Sequence, residues 1–238
     1  PIPNPSFLYV KNGSSYDYSR IRGYMGDLSE FSDKVFRIPE EVNGVKLKVI
    51  EDSAFSSMNL HGWEVTIPET VTSIEGSAFW GTGIVKVNLP NRLTNIGGQA
   101  FYSTKLTELK IPATVTKIGG LAFTNNNVIN EEDAWIYKRT ENGIDYSTLI
   151  GYAGAKRDNI VIPEERNGIK LKTIAASAFA VNYFTGTLKI PSTVTSIGTN
   201  AFELSNVTYV DNGDGNLVPG FIFARNSDGS IDLPPEFD

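Results

Sequence analysis

The side chains that most often perform acid–base or nucleophilic chemistry are scarce in this sequence. Its 238 residues include one histidine, His61, and no cysteine. His61 lies between Leu60 and Gly62 with no acidic neighbour in sequence, so the pattern gives neither a Ser/His/acid triad nor a metal-ligating pair. We interpret His61 as a surface or capping residue. The lack of cysteine excludes disulfides, thiolate metal sites and thiol catalysis.

Paired carboxylates offer a second route to chemistry, as in glycoside hydrolysis. Two such pairs, Glu40-Glu41 and Glu164-Glu165, follow a proline in the same sequence context. This recurrence favours a repeated, solvated turn over a catalytic dyad. We interpret the acidic run at residues 131–133 as a hydrated connector. The sequence therefore predicts no catalytic residue, no cofactor and no enzyme activity.

One segment near the C-terminus, residues 211–216, carries oxygen ligands between glycines. Asp211, Asp214 and Asn216 are weak candidates to hold Ca²⁺. The segment lacks a complete EF-hand spacing and a later bidentate glutamate, so a plain turn is the alternative. We predict no metal site elsewhere in the chain.

Composition and charge narrow the classes of partner. Hydrophobic residues make up 40% of the chain and its formal net charge is −6, which argues against a nucleic-acid or anionic-membrane partner. No apolar run approaches the roughly 20 residues that span a bilayer. The first residues lack the pattern of a signal peptide, and we expect any targeting segment to have been removed before Pro1.

A repeated pattern must position whatever site exists. Each copy has an Ile-Pro or Leu-Pro pair followed by an Ala-Phe pair. The copies begin at Ile38, Ile67, Leu89, Ile111, Ile162 and Ile190. Ile67, Leu89 and Ile111 are spaced by 22 residues, a period typical of a solenoid, in which each turn, or coil, packs only on its neighbours. The longer gap from Ile111 to Ile162 fits one extra coil, so we expect the register to continue across the middle.

Within one coil the sequence predicts two strands. Residues 106–111 alternate, which places Leu109 inward and Glu108 and Lys110 outward in a first strand. We expect these first strands to form a parallel sheet. Proline then makes a corner, and a second short strand follows, as at residues 115–118. Its threonines at positions 72, 94 and 116 should form an exposed column.

A helical or 3₁₀ turn is expected between the second strand and each Ala-Phe pair. The residue after the second strand is Glu51, Glu75, Gly97, Gly119, Ala175 or Gly198, so a positive φ is not required there. The phenylalanines should form one continuous buried stack. They are Phe55, Phe79, Phe101, Phe123, Phe179 and Phe202.

Two hairpins interrupt the repeats. Residues 7–26 predict a hairpin about Asn12-Gly13, and similar text returns at residues 135–154, with a partial third copy at residues 221–232. We predict one continuous solenoid over residues 1–238. Its sub-modules would be residues 7–130, residues 131–212 and a partial third hairpin or cap at residues 213–238.

The repeat, Ile-Pro-x-x-Val-Thr-x-Ile-Gly-x-x-Ala-Phe with an apolar residue five positions later, resembles the BspA-type leucine-rich repeat family over residues 7–211. The resemblance implies a secreted or surface-anchored bacterial protein involved in adhesion. It is consistent with the β-rich, right-handed solenoid expected from the repeats. Members frequently have cysteine three residues after the phenylalanine. The corresponding residues here are Met58, Thr82, Thr104, Asn126, Asn182 and Ser205. This difference argues against a redox or disulfide feature but not against the fold.

We therefore predict an extracellular recognition or adhesion module that binds a protein or glycan over its repeat surface. Two groups of residues are the candidates for partner binding: an outward sheet face, and the aromatics that directly follow an Ala-Phe pair. They are Glu64, Lys86, Asn88, Glu108 and Lys110 on the face, and Trp80 and Tyr102. The alternative interpretations are that the charges neutralise one another and that the aromatics pad the core edge. The alternative functions are a structural spacer in a larger cell-surface protein and a carbohydrate-active enzyme.

Overall fold

Short strands separated by tight turns make up most of the structure, a computed structural model that describes residues 6–203, 206–211 and 217–219. Over these residues the chain winds as a β-solenoid. We call residues 7–130 the first block and residues 131–212 the second block. These names follow the predicted sub-modules, and that division of the chain stays a prediction.

The first block contains eleven short strands and one 3₁₀ segment, Leu28–Glu30. The strands are β1 (Phe7–Asn12), β2 (Ser15–Tyr24), β3 (Val35–Arg37), β4 (Glu41–Val42), β5 (Val45–Lys46), β6 (Val49–Ile50), β7 (Glu64–Thr66), β8 (Ser73–Ile74), β9 (Lys86–Asn88), β10 (Asn95–Ile96) and β11 (Lys117–Ile118).

The second block opens with a four-residue helix, α1 (Glu131–Ala134). Its strands are β12 (Trp135–Thr140), β13 (Gly143–Tyr152), β14 (Asp158–Val161), β15 (Glu165–Arg166), β16 (Ile169–Lys170), β17 (Thr173–Ile174), β18 (Thr185–Lys189), β19 (Ser196–Ile197) and β20 (Asn206–Asp211). A last described strand, β21 (Leu217–Pro219), pairs with β20. The predicted third hairpin lies outside the described residues.

The second strands of the coils form the longest sheet. Its order is β1-β2-β6-β8-β10-β11, and the second block repeats the plan as β12-β13-β17-β19. In each case an antiparallel hairpin starts the sheet and parallel coil strands extend it. The two predicted hairpins and the short second strands are thus confirmed. The threonine column is also present, since the Thr94 hydroxyl donates to the carbonyl oxygen of Thr72 at 3.0 Å.

The first strands pair over shorter stretches than predicted. One sheet joins β3, β7 and β9, and another joins β14, β18, β20 and β21. The predicted strand at residues 106–111 is wrong. The amides of Lys105 and Thr107 donate to the carbonyls of Ile84 and Val85, and the backbone then leaves the ladder. The following coil has no strand beside this segment, because the chain forms α1 at that position instead. Leu109 nevertheless remains buried.

Chained β-turns replace the helical turns predicted before each Ala-Phe pair. Ser77 and Gly81, which flank one pair, have φ values of 53° and 67°, and such left-handed residues interrupt a helix. The amides of Ser77, Phe79 and Gly81 donate to carbonyls of the next coil at 2.8–2.9 Å. These turns therefore form a second hydrogen-bond ladder between coils.

Two aromatic stacks, rather than one, fill the interior. Phe55, Phe79, Phe101 and Phe123 have successive ring centroids 5.2–5.4 Å apart. A separate pair, Phe179 and Phe202, stacks at 5.1 Å. The prediction of a continuous stack is wrong because the second hairpin lies between the two groups, and its Trp135 meets Phe179 edge-on at 6.1 Å.

The ladder of second strands is also interrupted at the second hairpin, so the prediction of continuous register is wrong there. Within the described residues no backbone hydrogen bond joins β11 to β12 or β13. Strand β12 pairs with β13 through two register shifts, beside Ile136 and Tyr137, and such bulges disrupt the regular edge that a further strand would need. One backbone bond, from Val128 to Ala153 at 3.1 Å, crosses nearby.

Close approach of the coils explains the glycines after the second strands. As predicted, Gly97, Gly119 and Gly198 do not have positive φ. The prediction treated them as optional, yet a Cβ on Gly119 would lie 2.3 Å from the backbone nitrogen of Gly98. Gly120, by contrast, has open space around it.

Gly119→Ala should lower the free energy of unfolding by about 1–3 kcal/mol, because its methyl group meets rigid backbone. Gly120→Ala is the matched control and should be neutral or stabilising by up to about 1 kcal/mol. Urea titrations followed by circular dichroism would compare the two variants. Equal stabilities would contradict the close-approach account.

Phe101→Ala should lower the free energy of unfolding by about 3–5 kcal/mol, because this fully buried ring is sandwiched between Phe79 and Phe123. Tyr16→Ala, at a 48% exposed ring, should change it by no more than about 0.5 kcal/mol. A loss below about 1 kcal/mol for Phe101→Ala, measured by denaturant melts, would refute the stack as a stabilising element.

Candidate binding surfaces

The paired acids belong to two small hairpins that were not predicted. Strands β4 and β5 pair about Asn43-Gly44, and β15 and β16 pair about Asn167-Gly168. All four turn residues have positive φ, as a tight two-residue hairpin turn requires. Glu40 pairs with Lys46 at 3.7 Å and Glu164 with Lys170 at 3.3 Å. The Asn-Gly dipeptides were the sequence signal that could have found these hairpins.

His61 is exposed, in agreement with a surface role. Its ring covers Gly83, where a Cβ would lie 2.1 Å from Nδ1. Within the described ranges no three His, Asp or Glu side chains converge on a possible metal position. Of the calcium candidates, Asp211 forms an ion pair with Lys189, with 3.6 Å between Oδ2 and Nζ. Asp214 and Asn216 lie outside the described residues, so the calcium site stays a prediction.

The acidic run at residues 131–133 is exposed at Glu131 and Glu132, as predicted for a hydrated connector, but it is also ordered. It forms most of α1, whose N-cap Asn130 accepts a hydrogen bond from the amide of Glu132. Each acid pairs with a cation from a different segment of the chain. Glu131 pairs with Arg157 at 3.2 Å, Glu132 with Arg166 at 3.1 Å and Asp133 with Lys110 at 2.5 Å. Of these three pairs, only that of Asp133 with Lys110 joins the first block to the second.

The predicted charged face has the expected register. Glu64 lies opposite Lys86, and Thr66 lies opposite the exposed Asn88. The ammonium of Lys86 is 3.7 Å from carboxylate oxygens of both Glu64 and Glu108. Glu108 thus joins the face although it is not in a strand. These charges offset one another along the axis, and Lys110 is already paired with Asp133.

The predicted aromatic pair is also brought together. The rings of Trp80 and Tyr102 are nearly parallel, at 4°, with centroids 6.2 Å apart. Trp80 is 39% exposed, and the equivalent residue of the preceding coil is Ser56, whose side chain is too small to cover an indole face. Burial, and secondarily the nearby Tyr183, raises the pKa of Tyr102. Tyr183 is itself 40% exposed, which extends the aromatic surface into the second block.

Sequence reasoning missed a cleft where the two blocks meet, which we call the junction cleft. Its volume is about 200 Å³. Lys110 and Ile111 of the first block line it, together with Asp133, Arg139 and Tyr146 of the second. The lining residues run from Leu109 to Arg166, 57 positions later in the chain, so no local pattern could have found the cleft. The guanidinium of Arg139 is half-buried and donates to the carbonyls of Pro112 and Ile111 at 3.1 and 3.4 Å.

A column of buried polar groups was also missed. It occupies the positions three residues after the phenylalanines, where the resembled family frequently has cysteine. Asn126 donates to the carbonyls of Phe101 and Phe123 at 2.8 and 2.9 Å and accepts from the amide of Leu106 at 2.9 Å. Thr104 donates to the carbonyl of Phe101 and is 0% exposed. Hydrogen bonds between coils thus take the place of a thiol.

Comparisons with known proteins agree with this architecture. The sequence profile of the BspA type leucine rich repeat region matches residues 32–134 and 152–232, in six copies. A comparison with curated proteins gives no match. No helix among the described residues is long and apolar enough to cross a membrane.

Several solved structures are similar to the chain. A leucine rich cell surface protein from Faecalibacterium prausnitzii shares 21% identity over 87% of this chain and 77% of that one, with a TM-score of 0.34. A leucine-rich repeat protein from Bacteroides ovatus shares 20% identity over 87% of this chain and 56% of that one, with a TM-score of 0.46. The T. pallidum leucine rich repeat protein shares 20% identity over 83% of this chain and 81% of that one, with a TM-score of 0.45. The chain thus spans about half the length of the B. ovatus protein. These values bear on neither function nor partner.

Lys86→Met should change the free energy of unfolding by less than about 1 kcal/mol at physiological salt, because exposed ion pairs contribute little. Lys105→Met, which removes an exposed lysine without a described ion pair, is the matched control. Thermal and urea melts of both variants would measure the difference. A loss above about 2 kcal/mol for Lys86→Met alone would show that the charged face is structural.

Proposed function

The chain belongs to the BspA-type leucine-rich repeat family, and on that premise we propose that it is a non-catalytic module that recognises a protein or glycan outside the cell or at the cell surface. The division between scaffold and surface supports this role. Residues that recur in each coil are buried, such as Phe79 and Phe101. The residue directly after each repeat phenylalanine differs between coils: it is Ser56, Trp80, Tyr102, Thr124, Ala180 or Glu203. Trp80 and Glu203 are exposed, whereas Thr124 and Ala180 are buried. Variation is thus placed on a constant backbone, as recognition by solenoids requires.

The observation that carries the proposal is the exposed pair of Trp80 and Tyr102. Trp and Tyr are enriched among the residues that dominate binding energy. Their parallel packing at 6.2 Å fixes both rings before a partner arrives, so little side-chain entropy would be lost on binding. An open indole face suits either a protein side chain or the apolar face of a sugar.

The charged face makes a smaller contribution in this proposal. Lys86 is shared between Glu64 and Glu108 at 3.7 Å, so a partner would have to replace those ion pairs. Such rim charges mainly steer association and set its salt dependence. Glu108 is exposed and outside the strand ladder, which makes it the acid that a basic partner could engage most easily.

The regular ladders favour the second candidate function, a spacer that displays another domain. A spacer needs the two sets of hydrogen bonds between coils but has no use for an exposed indole. The two functions therefore differ in what a change at Trp80 would do.

Trp80→Ala should weaken binding by about 30-fold or more, as expected for a central aromatic anchor. An array of glycans and extracellular-matrix proteins would identify the partner of the wild-type chain, and biolayer interferometry would compare the variants. Glu108→Lys should weaken binding less and change its salt dependence. Tyr16→Ala, at an exposed ring on the first hairpin, is the matched control and should bind like the wild type.

The outcomes separate the candidates. If Trp80→Ala and Glu108→Lys both bind as the wild type does, the partner does not use these residues. If the wild-type chain captures nothing on the array, the spacer function replaces recognition. Melting curves of each variant would confirm that the fold is retained.

A further inference from the structure

The junction cleft combines a cation, aromatic rings and carboxylates that can accept hydrogen bonds from hydroxyl groups, all in a small space. Arg139 lies within it, Tyr137 and Tyr146 form an edge-to-face pair at 5.2 Å on its wall, and Glu132 and Asp133 are at its mouth. Its volume of about 200 Å³ is below the roughly 300–1,000 Å³ typical of sites for drug-sized ligands. The space therefore suits one small unit, such as a single sugar ring.

Arg139 is half-buried and has no carboxylate partner among the described residues. Arg20, Arg37, Arg157 and Arg166 each pair with an acid. Arg139 uses two of its five N–H groups on the carbonyls of Ile111 and Pro112. Burial lowers its pKa. A buried cation with unused donors facing a cleft is stabilised by an anion, and its fork geometry matches a carboxylate.

Two carboxylates of the cleft, those of Glu132 and Asp133, favour an anion that also carries hydroxyl groups. Asp133 uses one oxygen, Oδ2, on Lys110, and Glu132 uses Oε2 on Arg166. Their other oxygens accept no hydrogen bond within the described part of the chain. Each carboxylate is already paired with a cation, and its remaining oxygen can accept a hydrogen bond from a hydroxyl group of a ligand. A ligand with one carboxylate and several hydroxyls satisfies both requirements.

We propose that the junction cleft binds a single carboxylated sugar unit, with its carboxylate on the guanidinium of Arg139 and its hydroxyls toward Glu132 and Asp133. The apolar face of the sugar would lie against Tyr146, because Tyr137 is only 6% exposed. The site is distinct from the pair of Trp80 and Tyr102, and it does not depend on the partner proposed for that pair. The first hairpin lacks such a site, since the residue equivalent to Arg139 is the exposed Lys11.

The first experiment uses the full chain and D-glucuronate as the probe. Methyl NMR should show a saturable shift of Ile144, which lines the cleft, and no shift of Ile50 in β6. D-glucuronamide, the neutral analogue, should bind at least about tenfold more weakly, because it loses the charge-assisted hydrogen bonds. N-acetyl-L-glutamate α-amide tests an acidic peptide side chain and should bind more weakly than glucuronate.

Substitutions locate the carboxylate. Arg139→Met should reduce the affinity for D-glucuronate at least about tenfold, and Arg139→Lys should reduce it less, because the charge remains but the fork is lost. Lys138→Met removes a charge from the neighbouring, exposed position of β12 and should bind as the wild type does. Trp80→Ala should also leave glucuronate binding unchanged, which separates this site from the aromatic pair.

Several results would overturn the proposal. These are no shift of Ile144 with glucuronate, equal affinities for glucuronate and glucuronamide, or wild-type affinity in Arg139→Met. Tighter binding of the glutamate amide would reassign the cleft to an acidic protein partner. If Arg139→Met does not fold, the Ile144 shifts of the wild-type chain with the three probes still decide the question.

Discussion

The distance between successive coils is the constraint on which the rest of the structure depends. It is set by two ladders of backbone hydrogen bonds, one along the second strands and one along the turns around each Ala-Phe pair. Every other contact must fit the same step. The Phe79 and Phe101 rings stack at 5.2 Å, and Gly119 has no room for a Cβ against Gly98. A polar group at the interior edge must also bond between coils, as Asn126 does.

The regular coils and the residues with unusual surroundings lie in different parts of this molecule. Where both ladders continue, side chains repeat and charges such as those of Glu64 and Lys86 offset each other. Where the second-strand ladder stops, between β11 and β12, the chain forms a helix, a cluster of ion pairs and the junction cleft. Arg139 has no acid partner among the described residues there. Two of its N–H groups donate instead to the carbonyls of Ile111 and Pro112, where the predicted first strand is interrupted. The irregular joint therefore holds chemistry that the repeats exclude.

The sequence predicted those features that depend on one coil and its period. The 22-residue spacing, the short second strands, the two large hairpins and the contact of Trp80 with Tyr102 follow from local patterns repeated at a fixed step. The failures concern what the neighbouring segment provides. Alternation at residues 106–111 is that of a strand, but a strand needs a partner, and α1 takes that place. The stack ended at Phe123 for the same reason, and Arg139 gained its surroundings from a segment 27 residues earlier in the chain.

The interruption between β11 and β12 also determines how the molecule would carry a mechanical load. Tension along the axis passes through the coil interfaces in series, so the weakest interface sets the strength of the whole. Within each block, several backbone hydrogen bonds between neighbouring coils must break together. At the joint the described contacts are mostly side chains, including the ion pair of Lys110 with Asp133 and the bonds from Arg139 to Ile111 and Pro112. We therefore expect the chain to yield first at this joint when it is pulled along the axis.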